Sequence, residues 1–379
     1  MAVYKIFPEK DTTLYSMFPI MNTGIDEIVE ATLTSIAPFD PNPQVSRFVT
    51  KFADIDINNV FTNIIPTGSL WQANLRCFSA KTEGLLIDTT LDIFAVSQSW
   101  GMGTGRYLDD PLTTNGASWI FRTYSGSSDN KWDIQYGANS TGSYNLNYAP
   151  AGGGTWYIAN PINQTTLSSS QVFTYASSKD LNTNVTPIVN LWVSSSTYDI
   201  PNDGFLIKQR LEFQANDNIQ PEIKFFSVDT HTIYPPQLEI KWDDFTYVTG
   251  SLTVLNTLPA TITTAQNPGI FYTSSINQFR INARPEYPVR VWQTASLYTT
   301  NYALPTASYW ALKDLDTNEY VIDFDPIYTK LSCDASGSYF TLHMNGLQPE
   351  RYYQILIQTE VNGSTIVFDD KTYFKVING

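Results

Sequence analysis

Trp71-Gln72-Ala73-Asn74-Leu75-Arg76-Cys77 alternates apolar and polar side chains without a break. Successive side chains of an extended chain point to opposite faces. Trp71, Ala73, Leu75 and Cys77 therefore share one face, and Gln72, Asn74 and Arg76 the other. This is the pattern of a half-buried β-strand. Upstream, Val45-Ser46-Arg47-Phe48-Val49-Thr50-Lys51-Phe52 places Phe48, Thr50 and Phe52 on one buried face. Downstream, residues 85–96 read as one extended strand with a bend. Strand-like runs return at residues 186–193, 204–207, 222–226 and 237–242, and Pro235-Pro236 favours an extended entry into the last. Residues 25–33 fit a helical and a strand period equally. Long helical periodicity is otherwise nearly absent.

Composition points the same way. The 379 residues include 23 Tyr, 21 Phe and 9 Trp, side chains that suit a pleated, half-buried surface. The 20 Gly and 21 Pro are spread along the chain, as many short strands joined by turns require. A hydrophobic content of 42% supports a sizeable core and argues against global disorder. The reading is all-β. A large β-sandwich is expected over residues 1–245 and a strand-rich linker segment over 246–288, marked by Arg284-Pro285 and Tyr287-Pro288. A smaller immunoglobulin-like or fibronectin type III-like sandwich is expected over 289–379, with strands near 308–313, 319–324, 339–344, 352–359 and 365–376. In Gly346-Leu347-Gln348-Pro349-Glu350-Arg351-Tyr352-Tyr353, a Leu and a Tyr bracket a Pro turn before a strand. That resembles the corner of fibronectin type III-like domains, where a Tyr hydroxyl ties down the turn.

With 22 basic against 36 acidic residues the net charge is −14, and no basic run stands out. Nucleic-acid binding, which needs a positive footprint, is disfavoured. Cys77 and Cys333 are too distant in sequence to read as a disulfide framework and are expected to be buried free thiols. The N-terminus, Met1-Ala2-Val3-Tyr4-Lys5-Ile6-Phe7-Pro8, lacks the basic and apolar regions of a secretory signal. No apolar stretch of about 18 residues is present, so membrane insertion is not expected. Synthesis and folding in a cytosol follow as the expectation.

Little in the sequence suggests catalysis. His231 and His343 are the two histidines, in different expected domains, and no nucleophile elbow surrounds any Ser. Clustered His or Cys for zinc and a phosphate-cradling loop before a helix are both missing. The carboxylate pairs Asp109-Asp110, Asp243-Asp244 and Asp323/Asp325 suit glycoside hydrolysis only if brought across a cleft. Turns are the plainer explanation for them. No cofactor is expected. Calcium is the metal the loops would suit, through Asp129, Asn130 and Asp133 or through Asp109 and Asp110.

Residues 100–160 differ in texture, being rich in Gly, Ser, Asn, Tyr and Trp: Trp100-Gly101-Met102-Gly103-Thr104-Gly105, Ser125-Gly126-Ser127-Ser128-Asp129-Asn130 and Ala151-Gly152-Gly153-Gly154-Thr155-Trp156. They read as long loops on a rigid scaffold, where binding surfaces concentrate. Trp100, Trp119, Trp132, Tyr144 and Trp156, with Tyr136, Tyr148 and Tyr157, are the candidate contact residues. Three roles stand open for them: stacking on sugar rings, anchoring a protein interface, or covering the sandwich core.

The order of segments resembles the DNRLRE-type domain, a jelly-roll-like β-sandwich related to carbohydrate-binding modules. The opening strand Lys10-Asp11-Thr12-Thr13-Leu14-Tyr15 leads to the turn Asn22-Thr23-Gly24 and then to the Arg-containing strand Ser46-Arg47-Phe48-Val49-Thr50-Lys51-Phe52. Trp100 with its glycines resembles the family's Trp-x-Glu-Gly-x-Gly loop, without the Glu. Gly116-Ala117-Ser118-Trp119 resembles its Gly-Ala-Thr-Trp element. Val185-Thr186-Pro187-Ile188-Val189-Asn190-Leu191-Trp192-Val193 resembles a family strand, and so do Asn202-Asp203-Gly204-Phe205-Leu206-Ile207-Lys208 and Pro235-Pro236-Gln237-Leu238-Glu239-Ile240. The resemblance implies a fold and a capacity for glycan binding. Such domains usually belong to exported proteins. A phage particle protein, folded in the host cytosol and released by lysis, reconciles that with the absence of an export signal. The chain as a whole resembles virion structural proteins of marine tailed phages (myoviruses). The expectation is a non-enzymatic structural protein of a virion — baseplate, tail, neck or capsid surface — that works with other virion proteins in a repeated assembly. The alternative is a carbohydrate-binding module for attachment to host polysaccharide.

Overall fold

The computed structural model describes residues 2–34, 44–85, 88–126, 129–133, 152–159, 166–194, 200–210, 212, 221–288 and 300–379. The chain is all-β, built from several sheets. It divides into two compact units. The first comprises Ile6–Ile64 and Gln72–Glu239, the second Met1–Lys5, Ile65–Trp71 and Ile240–Gly379.

In the first unit a large sheet runs in the order Ser168–Phe173, Thr89–Ala95, Phe205–Gln209, Gln44–Phe52, Ile28–Thr34, Glu222–Phe226 and Ser79–Glu83, with Pro8–Tyr15 paired to Gln44–Phe52. The neighbours in this order are antiparallel. Gln44–Phe52 is central and is buried on both faces, which is why Ser46, Arg47 and Thr50 are as inaccessible as Phe48 and Phe52. Trp71–Cys77 has the expected alternation, with Ala73, Leu75 and Cys77 buried. It pairs antiparallel with Leu181–Asn184. Residues 85–96, read as one bent strand, contain the shorter strand Thr89–Ala95. Residues 25–33, readable either way, overlap the strand Ile28–Thr34.

Thr186–Val193, read as a strand, is an α-helix. Its β-branched residues suggest a strand, but Pro187 at the first turn is pre-set for helical φ. Burial of Ile188, Val189 and Leu191 then fixes one side of the helix in the core. A second short helix, Asp54–Asn59, continues into the π-helical turn Val60–Ile64. Asp54 and Asp56 lie in its first turn, where carboxylates favour the helix dipole.

The second unit is a sandwich of two sheets. One has the order Ala260–Ala265, Ile276–Pro285, Gly337–His343, Ser332–Asp334. The other has the order Ile270–Tyr272, Tyr373–Ile377, Tyr352–Val361, Ser308–Asp314, Tyr320–Ile322, with Ser364–Phe368 on Tyr352–Val361. The residues read as a linker segment thus supply strands to this unit. Its core is a stack of rings drawn from both sheets. Trp310 lies on Phe340 at 4.6 Å and Phe340 on Phe279 at 5.2 Å, and Phe374 packs 5.7 Å from Phe279. The hydroxyl of buried Tyr353 donates to the Gln348 carbonyl at 3.0 Å, tying down the Pro349 turn as expected of a tyrosine corner. Cys77 and Cys333 are free and buried.

Candidate functional site

The glycine- and tryptophan-rich loops gather around Arg47, in the central strand of the first unit. Arg47 is completely buried. Its Nε and Nη2 donate to the two oxygens of Glu212 at 2.9 and 2.8 Å, and its Nη1 donates to the Gly153 carbonyl at 2.8 Å. Lys208, also buried, donates to Glu212 Oε2 at 3.3 Å. Burial alone would raise the Glu212 carboxyl, but Arg47 and Lys208 hold it below its usual range. Burial lowers the Lys208 ammonium from its ordinary value. Arg47 and Lys208 both belong to motifs that carry the family resemblance, and here they converge on one carboxylate.

Four of the five candidate aromatic residues are built into the core beneath these loops. Trp119 and Trp156 flank the Arg47 guanidinium, their ring centroids 4.9 and 5.5 Å from its carbon. Trp156 also packs 5.2 Å from Phe94. Trp132 Nε1 donates to the Ser118 carbonyl at 2.9 Å. Trp100 Nε1 donates to the Asp203 carbonyl at 2.9 Å, while the Lys10 ammonium sits 4.4 Å over its ring. None of the four is more than 5% exposed, so their role is to cover the core rather than to present a platform for ligand. Tyr144, Tyr136 and Tyr148 lie outside the described residues, and Tyr157 is half-buried with its N–H bonded to the Ala95 carbonyl.

The run Gly152-Gly153-Gly154 follows from this packing. A Cβ on Gly152 would stand 1.9 Å from the Trp119 carbonyl oxygen, and one on Gly153 2.7 Å from both the Trp119 ring and Arg47 Nη1. Gly153 is also left-handed, at φ 80°. Only glycine allows the backbone this near the ring. Asn22 performs a similar service for the neighbouring loop. Its amide donates to Met102 O and Ala117 O, and its Oδ1 accepts from Gly24 N and Gly105 N.

With the tryptophans inside, a different set of side chains faces outward. Met17, Ile20, Tyr107, Leu108 and Leu112 are 54, 42, 46, 55 and 41% exposed. They sit on two loops, residues 16–21 and 106–113, that hold one another. The Tyr107 ring lies 5.1 Å from Tyr15 and 6.0 Å from Phe18. Leu108 N–H points at Met21 Sδ at 3.4 Å, and Asn22 N–H donates to Thr113 O. No sequence pattern marks these residues as outward. Ile20 and the wholly buried Met21 are adjacent.

One member of each carboxylate pair caps a turn. Asp109 accepts from Arg106 N–H and the Thr113 hydroxyl, Asp243 from Phe245 N–H, and Asp325 from Ile327 and Tyr328 N–H. Among the described residues no group of three or more His, Cys, Asp or Glu is placed to hold a metal ion. Asn130 lies in the strand Asp129–Lys131, paired with Phe121–Tyr124, rather than in a ligand loop. His231 is exposed and 3.6 Å from Glu27, whereas His343 is buried against Tyr4 and Trp242 and pushed down to about 4 by burial. No described helix is long and apolar enough to cross a membrane.

No family model and no curated protein matches the chain. Among solved structures, a DUF4785 family protein from Legionella pneumophila is similar at 9% identity, with a TM-score of 0.18. The match covers 98% of this chain and 66% of that one, so the chain spans just under two thirds of its length. A likeness at that score carries no argument about this chain.

Proposed function

We propose that the chain is a structural component of a tailed-phage virion and acts through protein–protein interfaces. The observation that carries the interface part is the apolar surface of Met17, Ile20, Tyr107, Leu108 and Leu112, mounted on two loops that hold one another through Tyr107 and Phe18 and through Asn22 and Thr113, with Gly105 close-packed on Asn22. Exposed apolar residues gathered in this way, rather than scattered singly, mark interaction sites. The virion part rests on the sequence resemblance. Mass spectrometry of purified particles from the source tests it: the chain is expected in fixed ratio to the other particle proteins, and its absence there would overturn the reading.

One feature favours the carbohydrate-binding alternative. A cavity of about 470 Å³ in the first unit is lined by polar side chains, among them Arg76, Ser170, Gln171, Asp180 and Asn182, a lining suited to sugar hydroxyls. A glycan array with Asn182→Ala separates the readings, because a bound glycan lost in that variant would support the module. Tryptophan variants would not, since those rings carry the core.

A further inference from the structure

The outward surface on residues 16–21 and 106–113 has two further properties that narrow what covers it. The first is strain. Leu108 is left-handed, at φ 56°, yet 55% exposed. A non-glycine residue adopts that conformation at a cost, and here the residue stays more than half exposed within the chain. The second is charge. The partly exposed Asp26 carboxylate accepts the Tyr107 N–H at 3.1 Å. Burial first, then Glu30 and Asp109, push Asp26 up to about 6, opposed by the Tyr107 N–H and by Arg106. Glu27 stands beside His231, and Asp229 has a buried carboxylate oxygen without a partner among the described residues. Lys224 is shared between Glu30 and Glu222. The carboxylates therefore outnumber Arg106 and Lys224, and the rim of the apolar surface is negative.

That sign decides between occupants. A second copy using the same surface across a two-fold axis would set like charges against one another, in a chain already at −14. An anionic lipid surface meets the same repulsion. We infer that residues 16–20 and 106–112 are the docking surface for a segment of a different protein, one that seats apolar side chains on Tyr107 and Leu108 and brings Lys or Arg against Asp26 and Asp109. This inference rests on the reading of the chain as an interface protein.

The test uses the full chain and a short synthetic peptide alternating leucine and lysine, with two controls, serine replacing leucine and glutamate replacing lysine. Fluorescence anisotropy is expected to show binding of the first peptide, weakened by salt, and binding at least about tenfold weaker for each control. The double variant Ile20→Ser/Leu108→Ser should lose about tenfold with an unchanged melting temperature, while Tyr272→Ser/Ile276→Ser in the second unit should lose nothing. Equal binding of the serine peptide, equal binding by the Ile20/Leu108 variant, or a wild-type dimer in sedimentation that this variant abolishes would each overturn the assignment. Those results would leave the virion reading standing, since the composition of purified particles decides that separately.

Discussion

Arg47 holds Glu212 through two parallel hydrogen bonds, at 2.9 and 2.8 Å, where neither side chain is more than 1% exposed. The pair joins a central strand to a position 165 residues along the chain, and Arg47 also grips the Gly153 turn. Removing one partner of a buried pair leaves an uncompensated charge. Glu212→Gln is expected to destabilise the first unit by about 3–5 kcal/mol, because Arg47 and Lys208 would then face each other unneutralised. Denaturant unfolding followed by tryptophan fluorescence measures this. A loss below about 1 kcal/mol would mean that water reaches the site.

Asp11 gives the first unit a dependence on pH. It is 1% exposed, accepts the Val228 N–H at 2.7 Å, and is pushed up to about 8 by burial, with Asp229 adding to the effect. A carboxyl raised on folding contributes stability fully present below its unfolded value near 4 and progressively lost as pH rises through about 8. Asp11→Asn keeps an acceptor for Val228 without the charge. The variant is expected to be more stable than wild type at pH 8 by on the order of a few kcal/mol, with the gap closing toward pH 4. Equal stability across that range would contradict the assignment.

Trp119→Ala removes a wholly buried indole that Arg47 and Gly153 pack against. A loss of about 3–5 kcal/mol is expected, read as a lower denaturation midpoint. A folded variant at wild-type stability that had lost only a ligand would restore the binding role suggested by the sequence.

In the second unit Tyr353→Phe deletes the hydroxyl that donates to Gln348 O and little else. About 1 kcal/mol is the expected cost. Calorimetry should show that loss with an otherwise intact fold, whereas no change would remove the tyrosine corner from the account.

Much of the fold was legible because burial on one face writes alternation into a strand, as at Ala73, Leu75 and Cys77. The Tyr353 corner was legible from its Pro turn. Thr186–Val193 was not, because β-branched residues favour strands locally, and the helix is selected by burial against the rest of the unit together with Pro187 in the first turn. The site was harder still. Exposure of an aromatic residue in a glycine-rich loop depends on where the loop folds, and at Trp100, Trp119, Trp132 and Trp156 it folds inward. Glu212 carries no local pattern at all, since its partners come from Arg47 and Lys208.

Electron cryomicroscopy of purified particles tests the virion role and the docking surface together. Density for the chain is expected in many symmetry-related copies, with residues 16–20 and 106–112 covered by a neighbouring protein. Particles without the chain, or with that surface open to solvent in every copy, would contradict that expectation.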